Sequence, residues 1–325
     1  MSPLLLRRWE LLAHFSDREL ELLGGCVDRR RFAAGETILQ EGDPPADAFL
    51  IESGDVRIER GTPYGHFTLA HLSAGELFGE TSFIDGHARS GSAVADSAVE
   101  LITFAREQLS TALENDTRLN LSLHWALWKS LSKKLRQTND KLTQFFSESG
   151  KLASAPSEAL DEGSGEFRVD LAAKRKLFLE QKLSSLEINF LSTLSKERKL
   201  APNQLLFREG EIGDSLYVVL EGRVMISKYI PGAGEEALAF LERGDYFGEM
   251  ALIDNLPRSA DAKADAQGAV VLAIPRNVLE GILDIHKISS INLLRLLCTL
   301  VAARLRELDD KIIGWFILAG GSGRS

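Results

Sequence analysis

The sequence predicts an α+β protein, mainly β, made of two β-roll or jelly-roll barrels, each flanked by helices and each followed by a long C-terminal helix. Three observations predict it. Short stretches of the first half recur in the second at an offset of 168 to 170 residues. Within each copy, β-branched and aromatic runs alternate with Gly, Asp and Pro, the punctuation of short strands and turns. Each copy closes on a long stretch whose apolar residues recur at three- and four-residue steps, the period of one helix face.

The elements follow in chain order. Ser16-Asp17-Arg18-Glu19 aligns with Ser184-Ser185-Leu186-Glu187 at an offset of 168. Each is a capping box, in which the serine hydroxyl takes a free helix N–H and the glutamate reaches back, so two helices start alike. The same offset pairs Glu41-Gly42 with Glu209-Gly210, Phe49-Leu50-Ile51 with Tyr217-Val218-Val219, Gly54 with Gly222, and Val56-Arg57-Ile58 with Val224-Met225-Ile226. These are strands set apart by turn glycines. An offset of 169 pairs Phe78-Gly79-Glu80 with Phe247-Gly248-Glu249 and Arg89-Ser90 with Arg258-Ser259, and 170 pairs Leu135-Arg136 with Leu305-Arg306. Colinear matches with only single-residue slips mark a duplicated domain. The first copy is expected over residues 1–146 and the second over 171–325. The connecting 147–170, rich in Ser, Gly, Ala and Glu, is expected to be a flexible or partly helical linker.

The closing helices carry seams. Leu121, His124, Trp128, Leu131, Leu135, Thr138, Leu142 and Phe145 form one; Leu294, Cys298, Val301, Leu305, Leu308, Ile312 and Trp315 form the other. About three heptads fit either a helix packed on its own barrel, or helix-to-helix dimerisation in a homodimer or domain docking. The apolar tail Gly314 to Gly320 is expected to be a helix end packed on the barrel, with docking to a partner or a membrane surface as the alternative.

Bulk properties bound the function. A chain of 325 residues that is 44 % hydrophobic has room for two cores, since single cores stop growing near ~250 residues. A net charge of −9 offers no positive field to gather phosphates, so nucleic acid is not an expected partner. The two cysteines, Cys26 and Cys298, lie far apart and read as buried small hydrophobes in a reducing compartment. No secretory signal is recognisable, and no uncharged run approaches the ~20 residues of a membrane helix, so a cytoplasmic protein without an integral membrane segment is expected.

The residues that carry chemistry lie in Phe247-Gly248-Glu249-Met250-Ala251-Leu252-Ile253-Asp254-Asn255-Leu256-Pro257-Arg258-Ser259-Ala260. Gly248 lets a small ligand approach the backbone, and Met250 and Ala251 open a short helix whose free N–H groups favour an anion. Arg258 offers a planar fork for one phosphodiester charge. Glu249 is acceptor-only when ionised, and Ser259, followed by small Ala260, adds a hydroxyl donor. The bland alternative is a surface Glu–Arg pair. Recurrence of Phe-Gly-Glu and Arg-Ser at the same nine-residue Glu-to-Arg spacing, as Gly79, Glu80, Arg89 and Ser90, argues against it.

This stretch resembles the phosphate-binding cassette of cyclic-nucleotide-binding domains, the superfamily of catabolite-activator regulators, kinase regulatory subunits and nucleotide-gated channels. The resemblance implies cAMP or cGMP as ligand and no cofactor. It also implies that Glu249 takes the ribose 2′-hydroxyl, that Arg258 and Ser259 hold the phosphate, and that Leu238, with Leu69 in the first copy, presents a strand side chain to the base. The first cassette, including Thr81 and Ser82, departs from the pattern at Phe83, Ala88 and Gly91, where Leu, Pro and Ala are usual. The larger Phe83 is expected to crowd that pocket. Thr138-Asn139 falls where relatives set a polar helix residue against adenine. The second copy has Leu308-Asp309 there, an acceptor for guanine, so the two sites are expected to differ in base preference. Trp315, Phe316 and Phe145 are candidate lids, with a packed core role as the alternative.

A winged helix-turn-helix is not expected after the second long helix, and no pseudosubstrate stands out ahead of the first capping box. Nothing in the sequence proposes turnover. The expectation is a regulatory sensor that passes occupancy through helix movement to a protein effector. The alternatives are a kinase-inhibiting regulatory subunit and a scaffold with vestigial pockets.

Overall fold

The computed structural model describes residues 1–147 (side chains to 143), 167–230, 234–283 and 291–321. Residues 148–166, most of the expected linker, and the Phe145 side chain lie outside the described part. The chain divides into two compact units, Met1–Leu131 with Val301–Ser325, and Ser132–Leu300.

In the first unit, α1 (Pro3–Arg7), a 3-10 turn (Glu10–Leu12) and α2 (Asp17–Gly25) precede the barrel. The Ser16 capping box forms, with the Glu19 amide donating to Ser16 Oγ at 3.3 Å and the Ser16 amide to Glu19 Oε2 at 2.7 Å. Glu19 has a second task. Its other oxygen accepts from Ser122 Oγ at 2.6 Å, tying the entry helix to the start of the long helix.

Eight strands follow: β1 (Val27–Phe32), β2 (Thr37–Leu39), β3 (Ala48–Ser53), β4 (Val56–Thr62), β5 (Gly65–Leu72), β6 (Leu77–Phe78), β7 (Ser92–Ala95) and β8 (Val99–Phe104). They form two four-stranded antiparallel sheets, in the orders β1-β8-β3-β6 and β2-β7-β4-β5. Inward residues of both sheets, among them Phe49, Ile51, Val56, Phe78 and Leu101, close the barrel core. α3 (Glu80–Asp85) interrupts the strands, and α4 (Arg106–Asn115) and α5 (Thr117–Ser147) follow them. A second cluster, with Leu12, Phe15, Leu20, Leu109, Leu123 and Leu127, packs these helices on the barrel end.

The second unit repeats the plan with α6 (Leu171–Glu180), α7 (Ser185–Leu194), β9 (Lys196–Leu200), β10 (Leu205–Phe207), β11 (Ser215–Ile230), β12 (Gly234–Leu241), β13 (Tyr246–Phe247), α8 (Met250–Ile253), β14 (Asp261–Pro275), α9 (Arg276–Ile282) and α10 (Ile291–Leu318). The Ser184 capping box forms too, and Glu187 accepts from the Leu293 amide at 3.0 Å, again holding the long helix by its start. Here β11 runs through the positions of both β3 and β4, and β14 through those of β7 and β8, so all six strands belong to one sheet. The strands bend rather than stop. Gly222 (φ 73°) sits beside register shifts in β11, whereas its counterpart Gly54 (φ 84°) separates β3 from β4.

The compact units do not follow the repeats. α5 begins in the first unit and belongs to the second from Ser132 onward; α10 begins in the second and belongs to the first from Val301 onward. Most of each seam is buried, through Trp128 and Leu131, then Leu135 and Leu142, in α5, and through Leu294 and Cys298, then Leu305 and Ile312, in α10. The helix tail meets the first repeat's barrel and not that of its own copy: Phe316 lies 4.7 Å from Phe67 of β5, within the first unit. Trp315 is half-buried beside it. Neither cysteine is in a disulfide; Cys298 is fully buried and Cys26 only partly, so the reading of Cys26 as a buried residue is corrected by its place at the end of α2. No helix among the described residues is long and apolar enough to cross a membrane.

Candidate functional site

Each cassette is placed by a two-residue strand. Phe78 pairs with Phe49, and Phe247 with Tyr217, which delivers the following glycine to the rim of the barrel. Gly79 and Gly248 both adopt left-handed backbone, with φ of 76° and 80°. A Cβ at Gly248 would stand 2.5 Å from Arg258 Nη1, and one at Gly79 would stand 3.0 Å from Arg89 Nη1. Glycine is required twice over, by backbone and by space.

The arginines are held alike. Arg258 donates from Nη1 to the Gly248 carbonyl (2.5 Å) and from Nη2 to the Ser215 carbonyl (2.9 Å). Arg89 donates from Nη1 to the Gly79 carbonyl (2.8 Å) and from Nη2 to the Asp47 carbonyl (2.7 Å). Ser215 and Asp47 are counterparts at the 168 offset. The Glu-Gly turns seen in the sequence fix the arginine backbones: Gly42 donates to the Arg89 carbonyl and Gly210 to that of Arg258, at 3.0 and 2.9 Å. Arg258 also lies over the Phe207 ring at 4.3 Å. Its Nε, fully buried, has no partner. Burial pulls both guanidinium pKa values down. Nearby acids oppose that shift, Asp47, Asp43 and Glu80 at Arg89, and Glu249, Asp214 and Glu211 with Tyr217 at Arg258.

Glu80 is wholly buried and Glu249 is 3 % exposed, so neither cassette carboxylate is part of a solvated surface pair. Ser130 Oγ reaches Glu80 at 3.3 Å. Met250, Ala251 and Ala260 are buried, as is Ser82; Thr81, Ser90 and Ser259 are half-buried. Phe83 does not crowd the cassette: it packs against the helical cluster of the first unit, where it helps line an apolar cavity with Leu12, Leu109 and Leu127.

Leu69 and Leu238 share a distinctive position. The register of β4 on β5 slips between Ile58 and Glu59, leaving Leu69 as the extra residue, and that of β11 on β12 slips between Ile226 and Ser227, leaving Leu238. A β-bulge re-aims the side chain it carries. The duplicated bulge is therefore a structural property of both candidate base-facing leucines.

The helix residues fall otherwise than the copy-by-copy reading implied. Thr138 and Asn139 belong to the second unit, and Asn139 Nδ2 lies 3.5 Å from Ser259 Oγ of the second cassette. Arg136 explains how α5 is held there. It makes a fork on Asp254 (Nε to Oδ2 2.8 Å, Nη2 to Oδ1 3.2 Å) and donates to the Pro257 carbonyl at 2.9 Å. In the first unit Arg306 repeats the clamp on Asp85 (2.7 and 3.1 Å), the Ala88 carbonyl (3.0 Å) and Ser82 Oγ (3.1 Å). One turn further on, Lys228 bridges Asp140 and Glu209 at 3.1 and 3.0 Å, and Arg60 bridges Asp310 and Glu41 in the same manner.

Sequence reasoning missed three residues around the cassettes. Arg276 donates to the Ala251 and Leu252 carbonyls (3.0 and 3.1 Å), closing the end of α8, and Arg106 reaches the Ser82 carbonyl at 3.5 Å. Their signal was recurrence at the 170 offset. Gly213 is the third: a Cβ there would meet Ala251 at 2.6 Å and the Arg258 guanidinium at 2.7 Å.

Fold and site together define a tandem β-roll module with one Phe-Gly-Glu and Arg-Ser cassette per copy. The family described as "Cyclic nucleotide-binding domain" matches residues 29–116 and 197–286, more than half of the chain, and the protein belongs to that family. A "Cyclic AMP receptor protein" of Thermus thermophilus is 35 % identical over 150 residues, covering 45 % of this chain and 68 % of that one. A "cGMP-dependent protein kinase" of Eimeria tenella is 25 % identical over 268 residues, covering 82 % of this chain and 21 % of the kinase. The regulatory domain of Toxoplasma gondii PKA, solved with cAMP, aligns over 90 % of this chain and 93 % of its own at 17 % identity and a TM-score of 0.32. The chain spans about a fifth to three tenths of the length of the kinase relatives it matches.

Proposed function

We propose that this chain is the sensing part of a signalling system: each cassette holds the phosphate of a cyclic nucleotide, and the long helices report occupancy to a protein effector without chemical turnover. The observation that carries this reading is Arg258. It is 5 % exposed, oriented by two carbonyls, and left with an unpartnered buried Nε beside a buried glutamate. A buried cationic donor without an acceptor is costly unless an anion completes it. Arg258 and Ser259 take the phosphate in this reading, with Glu249 on the ribose hydroxyl and Leu238 against the base; Arg89, Ser90, Glu80 and Leu69 do the same in the first copy. cAMP and cGMP are the ligands proposed, in the cytoplasm.

The effector proposed is a protein kinase, in the same or another chain. The kinase and kinase regulatory-subunit relatives favour it. Ligand can move the helices only through different affinities for their two arrangements, and the Arg136 and Arg306 clamps join helix directly to cassette. Calorimetric titration with cAMP, cGMP and a cyclic dinucleotide tests the reading. Saturable heat from a mononucleotide is expected; silence from all three would leave a scaffold with vestigial pockets.

A further inference from the structure

In the second unit α6 and α7, joined by residues 181–184, pack on each other and turn an apolar face outward. Leu186, Phe190 and Leu194 recur at four-residue steps along α7 and are 48, 40 and 42 % exposed, a stripe of about 12 Å on a helix whose opposite face, with Ile188 and Leu191, is buried. Arg175 of α6 donates to Asn189 Oδ1 at 3.2 Å, so the exposed face of α6, with Leu171 and Leu179, adjoins the stripe. At the 168 offset the stripe positions hold Arg18, Leu22 and Cys26 in the first repeat, so the fold itself does not require apolar residues there.

Charge sets the same region apart. Residues 167–200 hold eight basic and four acidic residues in a chain of net charge −9. All four acids are engaged: Asp170 accepts from the Ala172 amide, Glu180 meets Arg243, Glu187 closes the α7 capping box, and Glu197 meets Lys174 at 2.7 Å. Among the described residues, the exposed Lys176, Lys182, Lys196, Arg198 and Lys199 make no ion pair. In the first repeat Arg30 and Arg31, the counterparts of Arg198 and Lys199, meet Asp47 and Glu100 at 3.3 and 2.8 Å. The positions of those two acids are Ser215 and Val270 in the second repeat, and Lys196 stands where the first has Asp28. The second repeat thus carries cations whose answering acids the chain does not supply. We infer that this face docks an acidic amphipathic helix of a partner protein, with the partner's apolar edge along Leu186, Phe190 and Leu194 and its carboxylates against the cations of α6 and β9. The depth of the stripe favours a helix over a lipid surface. Sinking ~5–10 Å into a bilayer interface needs apolar side chains that stand clear of the protein, whereas these are more than half buried and form a seat for another side-chain surface. The docking face is separate from the cassettes and does not depend on nucleotide binding.

The test uses the full chain and a displayed library of random peptides of about 20 residues, long enough for a helix of ~30 Å. Peptides are selected on the wild type and counter-selected on the double variant Leu186→Arg with Phe190→Ser, the first change placing there the residue type that the first repeat carries. Thermal melting of each variant checks its fold, and both melting and nucleotide titration should match the wild type. The peptides that survive should carry apolar residues at three- and four-residue steps edged by Asp and Glu. Made synthetically, such a peptide should bind the wild type in calorimetric titration, and the stripe variant should lose about tenfold or more of that affinity. Lys196→Glu with Lys199→Glu, a second variant that leaves the stripe intact, should weaken the same peptide and flatten its salt dependence. Recovery of no peptide, or of peptides without acidic residues, overturns the inference. Co-sedimentation with phosphatidylserine vesicles that the stripe variant abolishes would assign the face to a membrane instead. Self-association in sedimentation velocity that the stripe variant abolishes would assign it to a second copy of the chain. Either result overturns the partner-helix assignment, and neither touches the nucleotide reading.

Discussion

Replacing Arg258 with methionine keeps an unbranched apolar stem and removes the guanidinium that lies over Phe207. The unliganded protein then loses two charge-assisted bonds, to the Gly248 and Ser215 carbonyls, and the contact of the cation with the Phe207 ring. Such bonds contribute about 1.5–3 kcal/mol each, and the ring contact about 0.5–2 kcal/mol. Set against that sum is the relief of no longer burying a charge whose Nε has no acceptor, several kcal/mol in size. The two carbonyls stay behind partly unsatisfied. The balance is a loss of about 2–4 kcal/mol of unfolding free energy without ligand, read by urea denaturation as a lower midpoint at constant slope. Nucleotide affinity at the second site should fall by a further ~2–4 kcal/mol, because a desolvated phosphate loses its charge partner. An unliganded unfolding free energy within about 0.5 kcal/mol of wild type would refute the picture of a guanidinium oriented by carbonyls. An unchanged affinity would take Arg258 out of the site.

Further outcomes follow from the same geometry. Gly248→Ala should cost about 1–3 kcal/mol and abolish second-site binding, since its φ of 80° and its 2.5 Å approach to Arg258 admit no Cβ; urea denaturation and calorimetry read both. A double-mutant cycle on Arg136 and Asp254, both mostly buried, should return a coupling of about 1.5–3 kcal/mol in unfolding free energy, and the cycle on Arg306 and Asp85 a similar one. The pH dependence has a clear sign at His14. Burial, the largest influence, holds its imidazole below the ordinary 6.5, although the Ser122 carbonyl and Glu19 pull the other way. The unfolded chain therefore binds that proton first, and unfolding free energy should fall as pH drops below about 6.5, down to the lowered native value. In His14→Gln that decline should flatten.

Much of this was legible in the sequence, for a physical reason: local patterns report local structure. The Ser16 and Ser184 boxes needed only four residues each to announce two helix starts, and both formed. The cassettes were legible because Gly248 and Arg258 are demanded by backbone sign and close contact, which few residue types satisfy. The exchange of α5 and α10 was not legible. A seam such as Leu135 to Leu142 says that a face is buried, never which barrel buries it, and both barrels offer the same Asp and carbonyl to the helix arginine and the same kind of cation to the aspartate one turn on. The continuous β11 was also hidden, since Gly222 and Gly54 look alike although one bends a strand and the other ends it. Leu69 and Leu238 gained their meaning only from a register slip, and a slip depends on the pairing of two strands. Arg106 and Arg276 could have been found by extending the repeat comparison, as both stand in phase with it.

The central claim, that both cassettes take a cyclic nucleotide, is tested most directly by counting bound ligand. Equilibrium dialysis of the full chain against labelled cAMP and cGMP together should saturate at two nucleotides per chain, falling to one in Arg258→Met and to one in Arg89→Met. Retention of both nucleotides in either variant, or no retained label in the wild type, would contradict it.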